Sequence, residues 1–477
     1  MRATGTALDV LVIGAGPAGV SAALRAGALG ARTALVTRGA FGGMAANDGP
    51  VPVRTLAHAA RLLREARQMG AYGIEVGEPT LDYRRLLARA GEVVQEVRSH
   101  SALRGQLEAA GVVIHEHAGV ARFVDAKSVE TERGHRLRAG RIILCTGGVS
   151  RKLAVPGSEL TETHSDAWAL TSVPESMLVI GAGATGVQVA SVFGAFGSRV
   201  DLFQRADRIL TTEDADVSAA VAAAFRASGI GVHEGFGNIE RFEQTPGGVR
   251  MTYSKDGVRQ SAEASLAVIA VGWVADTSAL NPGAAGVELD ARGFVRVDSH
   301  LRTSAPGIYA AGDITGQMML VPQALQAGFV AATNAVRGDV EELGNPVSPI
   351  GSFTDPEYAQ VGLTEAQARA AGHDVVVAVA GFDASTRPII DGRPAGFCKL
   401  VVHRARREVL GCHVVGERAV DLCQVAAIVI ASNMKVSELA RLPLSFPTYA
   451  GILGLAAARA AHALGLGARE EVDALGV

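Results

Sequence analysis

Two stretches of the chain repeat one order of apolar and polar positions. Residues 10–24, VLVIGAGPAGVSAAL, and residues 177–191, MLVIGAGATGVQVAS, agree at nine of fifteen aligned positions. Each opens on an unbroken apolar run, crosses a G-x-G-x-x-G turn and continues in small apolar residues. That order predicts a buried strand, a tight turn and a helix. Between and after the repeats, the pattern in DYRRLLARAGEVVQEVRSHSALRGQLEAAG (82–111) predicts a long helix, and VVIHEHAGVARFVD (112–125) predicts a strand. RIILCTGG (141–148) and SLAVIAVGW (265–273) each read as a strand closing a unit. RTLAHAARLLREA (54–66) reads as an amphipathic helix, and PQALQAGFVAA (322–332) as a helix opened by Pro322, whose missing N–H costs nothing there. Past residue 345 the character changes. NPVSPIGSF (345–353) has the prolines of a linker, and strands such as FCKLVVHR and EVLGCHVVG then mix with helices.

The predicted fold class is α/β, with two Rossmann-like dinucleotide-binding domains and a C-terminal α+β domain. The boundaries fall at residues 1–153 with 273–345 for the first domain, 154–272 for the second and 346–477 for the third. In each glycine motif the first glycine (Gly14, Gly181) permits the tight turn. The second (Gly16, Gly183) lets the backbone approach a pyrophosphate, and the third (Gly19, Gly186) lets helix and strand pack closely. The helix N-terminus then faces the anion. One such match is weak, but two in the same strand–turn–helix context point to two dinucleotide sites.

Composition narrows the function. The formal charge is −3, and Lys and Arg are scattered, which argues against a nucleic-acid footprint or a polybasic membrane patch. Charged residues make up 19% and glycines number 57, which suits buried parallel strands joined by tight turns. No window predicts a membrane span, and the N-terminus does not read as a signal peptide, so a cytoplasmic location is the default. The tail GILGLAAARAAHALGLGA carries Arg459 and His462 and reads as a terminal helix. Cys145, Cys398, Cys412 and Cys423 show no metal-ligand spacing and read as reduced core residues; no metal site is predicted.

A further segment, TSAPGIYAAGDITG (303–316), predicts a strand that delivers Asp313 to the sheet's carboxyl edge. There a lone carboxylate can accept hydrogen bonds from a sugar-like chain. With this segment the chain resembles the flavoprotein pyridine nucleotide–disulfide oxidoreductases, a family that includes dihydrolipoamide dehydrogenase, glutathione reductase and mercuric reductase. The motifs are GAGPAG (14–19), FGG (41–43), CTGG (145–148), GAGATG (181–186) and T-x5-Y-A-A-G-D (303–313). SFTDPEYAQVGLTEAQARAAG (352–372) resembles the start of that family's dimerisation domain, which implies a homodimer. The resemblance implies FAD in the first domain, lined by Gly14, Gly16, Gly19, Thr37, Gly42, Gly43, Arg54, Ala121, Thr146, Gly147, Gly312, Asp313 and Val321. It implies NAD(P)H in the second, at Gly181, Gly183, Gly186, Gln188, Gln204, Arg205 and Gly272.

The same comparison exposes what is missing. The family loop reads G-G-T-C-x-N-x-G-C-x-P-x-K, and here the two cysteine positions are Ala45 and Pro50. Arg54 replaces the lysine, and its glutamate partner becomes Gln188. The family's H-P-T-x-x-E, which supplies a base across the dimer, reads F-P-T-Y-A-G, with Phe446 and Gly451 at the base and its acid. A disulfide reductase needs a thiolate to exchange and a base to take the proton. Loss of all four groups together implies a different acceptor. The implied pocket is Met44, Ala45 and Pro50 with Phe446 and Tyr449 of the partner subunit, an apolar and aromatic lining suited to a flat conjugated molecule. Asp48 and Tyr449 are the candidate proton donors, catalysis otherwise being flavin-centred; His58 reads as an ordinary helix histidine. Thr37 stands where a carboxylate would hold the adenosine ribose of FAD. Gln204 replaces the acid of NAD-dependent relatives and Arg205 follows it, which leans towards NADPH.

The expected function is therefore an NAD(P)H-dependent FAD oxidoreductase passing hydride directly to a small quinone- or enone-like acceptor. Alternatives are an NAD(P)+ transhydrogenase and a flavin-binding redox sensor without turnover.

Overall fold

In the computed structural model, which describes residues 8–100, 103–344 and 347–466, both repeats fold as strand, turn and helix. In the first, the strand Leu8–Ile13 lies between parallel strands Thr33–Val36 and Arg136–Leu144. Val113–His115 extends the sheet on one side, and Ile308–Ala310 joins Arg136–Leu144 on the other. The helices Pro17–Ala28 and Val321–Arg337 cover this sheet, and their alanines share one core with Val10, Val12 and Leu35. Small residues let them approach closely: a side chain at Gly328 would run into the Ala18 backbone.

The second repeat builds a five-stranded parallel sheet around Ser176–Ile180. An antiparallel three-stranded sheet, Asn238–Thr245, Gly248–Lys255 and Val258–Ala264, follows it. After residue 347 comes an antiparallel sheet in the order Ile350–Ser352, Tyr358–Gly362, Val409–Val415, Phe397–His403, Val375–Gly381. The helices Ala419–Ala431 and Gly451–Ala463 pack on it, and three of the cysteines (398, 412 and 423) lie in that core. Cys145 is buried in the first unit, where burial raises its thiol to about 12.

The described residues fall into two compact units. One gathers residues 8–56, 82–151 and 272–344; the other gathers 57–81, 152–271 and 347–466. The second unit thus holds both the second nucleotide fold and the C-terminal sheet, together with residues 57–81 that the sequence division places in the first domain. The boundary expected at 345/346 and the tail beyond 466 lie outside the described residues.

Two local expectations change. Residues 112–125 are not one strand. Val113–His115 pairs in parallel with Ala34–Val36, whereas Ala121–Asp125 pairs antiparallel with Ser128–Thr131, and the chain turns between them with His117 and Gly119 left-handed. Residues 82–111 are helical over Tyr83–His100 and Leu103–Ala109, with residues 101–102 between them outside the described residues. The stretch after the FGG motif is helical rather than a loop. Gly42 and Gly43 (φ +99° and +56°) start a short helix, Gly43–Asn47, and Pro50 then begins the long helix Pro50–Gln68. The terminal helix forms over Gly451–Ala463, and no helix among the described residues is long and apolar enough to cross a membrane.

Candidate dinucleotide and acceptor sites

The two glycine motifs are built on one plan. At Gly14 a Cβ would collide with the Cys145 carbonyl, and at Gly19 with the Gly14 carbonyl. At Gly181 it would meet the Ala270 carbonyl at 2.5 Å, and at Gly186 it would collide with the Gly181 carbonyl. Turn, strand end and helix are therefore in backbone contact twice over, at equivalent places. Each helix begins at the second glycine, Gly16 or Gly183, with extended backbone and no side-chain cap. Its first N–H groups are left for an anion.

In the first unit the FGG pair completes this cradle. Gly42 N–H donates to the Ala15 carbonyl (3.0 Å), and a side chain at Gly43 would meet the Gly16 Cα at 2.6 Å. Only bare backbone fits there, and bare backbone is what a pyrophosphate approaches. Glu116, paired with Arg104, accepts from Phe41 N–H (2.8 Å) and fixes the entry to this turn. Thr37 is buried, stitched through its backbone to His115 and Ala118. Asp313 follows the strand Ile308–Ala310, as expected. Burial pushes its carboxyl above its ordinary range, and no donor among the described residues reaches that carboxylate. A group bringing hydroxyl donors satisfies it. Thr146 donates to the Asp276 carbonyl (2.8 Å) and Gly147 accepts from Asp276 N–H (3.1 Å), so the CTGG turn is tied to the chain returning after the second repeat. Backbone contact at Gly16 and Gly43 and the donor-poor Asp313 both fit FAD. Gly312 precedes Asp313 with φ +79°, Val321 opens the helix Val321–Arg337, and Ala121 opens the strand Ala121–Asp125.

At the second motif Gln204 turns inward. Its side-chain oxygen accepts from Ala182 N–H at 3.0 Å, so the neutral amide braces the glycine turn. Arg205 is exposed and makes no ion pair among the described residues. Beyond it, Arg208 donates to the carbonyls of Leu210, Thr211 and Glu213. Leu210 is buried in a left-handed conformation (φ +48°), an unfavourable state for a residue with a Cβ. Its N–H donates to the Ala182 carbonyl at 2.8 Å. The strained residue is thus hydrogen-bonded to the turn that would hold the pyrophosphate. Gly272, with φ +106°, is exposed at the end of the strand run. Gln188, on the helix Ala184–Ala195, accepts from Ser352 (3.2 Å).

Of the residues expected to face the acceptor, Met44 and Ala45 lie on the short helix Gly43–Asn47, and the Met44 carbonyl receives the N–H groups of Asp48 and Gly49. Asn47 is gripped by Arg98, from the helix Tyr83–His100, and donates to the Phe41 carbonyl (3.3 Å). The Asp48 side chain has no hydrogen bond among the described residues, and Arg54 is half-buried near the start of the helix Pro50–Gln68. In the other unit Phe446 is 63% exposed. Tyr449 is not free. Its hydroxyl donates to Asp391 (3.0 Å), which Arg387 also holds (2.8 Å). Burial, with the Asp391 carboxylate, raises the phenol well above its ordinary range. His58 is exposed on its helix.

Sequence reasoning misses Arg98, Asp391, Arg208 and Leu210. Each acts through contacts distant in sequence or through backbone carbonyls, which no short motif encodes. No group of described His, Cys, Asp or Glu side chains could hold a metal ion.

Comparison with known proteins agrees with this geometry. Residues 8–328 match the pyridine nucleotide-disulphide oxidoreductases, and residues 348–457 match the dimerisation domain of the same enzymes. The chain is 33% identical to a dihydrolipoyl dehydrogenase of Chlorobaculum tepidum over 96% of its own length and 98% of that protein's. It is 32% identical to a mercuric reductase of Bacillus cereus, covering 94% of this chain and 70% of that one. Among solved structures, the Cu(II) complex of the HOCl-induced flavoprotein disulfide reductase RclA from Escherichia coli superposes with a TM-score of 0.84 at 23% identity, covering 95% of this chain and 99% of that chain.

Proposed function

We propose, for a chain that belongs to the pyridine nucleotide-disulphide oxidoreductase family, that it passes electrons from NAD(P)H through FAD directly to a small conjugated acceptor, quinone- or enone-like. The family is FAD-dependent and uses NAD(P)H. Bound FAD supplies a carrier that takes hydride from the nicotinamide and gives it up to the acceptor. The chain's residues position both exchanges. The turns at Gly14–Gly19 and Gly181–Gly186 hold the two pyrophosphates, and Asp313 takes the ribityl chain.

One observation carries the choice of acceptor. The wall that in the family bears a thiol pair consists here of Met44, Ala45 and Pro50, while Cys145, Cys398, Cys412 and Cys423 are all buried in hydrophobic cores. A relay through thiols, as the names of the reductase relatives suggest for those proteins, needs an accessible thiolate. A homodimer, which the dimerisation-domain match supports, would bring the partner subunit's Phe446 to this wall. Tyr449 serves as wall rather than proton donor, since its proton is committed to Asp391. That leaves Asp48 as the titratable group on the short helix's end. Location in the cytoplasm belongs to the same proposal.

The test separates the two half-reactions by stopped flow. Phe446→Ala removes a stacking surface worth about 1 kcal/mol, so oxidation of the reduced enzyme by a quinone is expected to slow about fivefold. Reduction by NADPH should not change. Tyr449→Phe should keep most of the quinone rate. Turnover with a lipoyl disulfide or mercuric ion faster than with every quinone and enone tried overturns the proposal. Reoxidation by NAD+ alone would make the enzyme a transhydrogenase.

NADPH is proposed as the preferred donor because Gln204 carries no charge and Arg205 is exposed, with no ion pair among the described residues. Arg205→Ala is expected to raise the NADPH concentration for half-maximal reduction about tenfold and leave that for NADH unchanged, as measured anaerobically. Equal effects on both nucleotides would assign Arg205 no part in the choice.

A further inference from the structure

The unit that carries the second glycine motif also holds a buried cation. Lys399 stands in the strand Phe397–His403 of the C-terminal sheet with its side chain 3% exposed. Its ammonium meets three carboxylates: Asp214 at 2.9 Å, Asp216 at 2.6 Å and Glu365 at 2.9 Å. Asp214 caps the helix Ala215–Ala227 by accepting from Asp216 N–H, and its other oxygen accepts from Glu365 N–H (3.2 Å). Two strands away in the same sheet, Gln360 donates to the Thr212 carbonyl (3.5 Å).

These contacts end a continuous path. Residues 205–214 leave the strand Arg199–Gln204, carry exposed Arg205, pass through strained Leu210 and finish at Asp214. Leu210 N–H is bonded to the Ala182 carbonyl, Arg208 clasps the carbonyls of Leu210, Thr211 and Glu213, and Lys399 pairs with Asp214 at the far end. A left-handed leucine persists only where its surroundings over-determine it. Burying an ammonium is costly unless it is fully paired, and a cation this enclosed holds its carboxylates in one geometry.

We infer that Lys399, though far along the chain from either glycine motif, is a positioning residue for the NAD(P)H pyrophosphate and ribose, acting through Asp214 and the segment 205–214. It touches no nucleotide itself. The inference rests on the reading that NAD(P)H binds at the second motif. A further consequence is that nucleotide affinity depends on the C-terminal sheet, whose family role is dimerisation.

The experiment is calorimetric titration of the oxidised, FAD-loaded protein with NADP+, well below its unfolding temperature. Lys399→Met is expected to weaken NADP+ binding about tenfold, with FAD content unchanged. Should that variant fail to fold, Asp214→Asn carries the test. It keeps a capping oxygen while removing the charge, and a weakening of about threefold is expected. Lys399→Arg should recover part of the loss. The double variant Lys399→Met/Asp214→Asn should bind no more weakly than Lys399→Met alone. Unchanged NADP+ affinity in a folded Lys399→Met or Asp214→Asn protein overturns the inference. Wild-type protein that binds neither NADP+ nor NAD+ overturns the functional reading, and this inference with it.

Discussion

Gly186→Val is expected to leave a yellow protein whose flavin NADPH no longer reduces at a useful rate. The valine Cβ would occupy the place of the Gly181 carbonyl and crowd the Ala270 side chain at 3.4 Å. The helix Ala184–Ala195 must then lift off its strand, taking with it the N–H groups that would meet the pyrophosphate. A displacement of this kind costs about a hundredfold or more in rate. The equivalent change in the first repeat, Gly19→Val, presses on the Gly14 carbonyl and on Cys145 Cβ at 3.3 Å. It should instead yield protein without flavin. The pair assigns one nucleotide to each motif by two readouts, absorbance of the purified protein and anaerobic reduction. Flavin lost in Gly186→Val and kept in Gly19→Val would exchange the assignments.

Stability is expected to fall as pH rises from about 5 to about 8, because two buried carboxyls titrate late. Burial, only partly offset by Thr212 and Arg208, raises Glu213 from 4.5 to about 7. Burial, then the nearby Glu417 charge, raises Glu357 from 4.5 to about 7, with Arg61 opposing. Between those values the folded chain holds protons that the unfolded chain has released. The stabilisation is complete below 4.5 and is lost as pH passes 7, at up to about 3 kcal/mol for each group. Glu213→Gln, neutral at every pH, should flatten that part of the slope by several degrees of unfolding temperature. A melting temperature that rises over this range, or a slope untouched by Glu213→Gln, contradicts the account.

Much of the fold was legible because its motifs are local. Gly14 and Gly181 must turn, Gly19 and Gly186 must admit a backbone, and both demands leave a mark within six residues. Asp313 was legible for the same reason, since the strand GIYAAG carries it directly to the sheet edge. The helix Gly43–Asn47 was not. Its glycines read as loop, and only the contact of Gly43 with Gly16 shows why they are needed. The inward turn of Gln204 was hidden because a glutamine at a strand end has no preferred partner. Lys399 did leave a trace, a single charge inside the apolar run FCKLVV, but its three carboxylates lie 34 to 185 positions away in the chain. Tyr449 shows the opposite case. Its position beside Phe446 suggested chemistry, and the hydrogen bond to Asp391 gives its proton another place.

The proposed direct transfer to the acceptor is tested most simply by counting electrons. Anaerobic titration of the FAD-loaded enzyme with dithionite, followed by absorbance, is expected to end after one two-electron equivalent per FAD. No thiolate-to-flavin charge-transfer band should appear at any point. Ala45 and Pro50 cannot hold a second electron pair, and the four buried cysteines are not placed to receive one. Uptake of four electrons per FAD, with a long-wavelength band after the first two, would mean that a thiol pair works beside the flavin and would contradict the account.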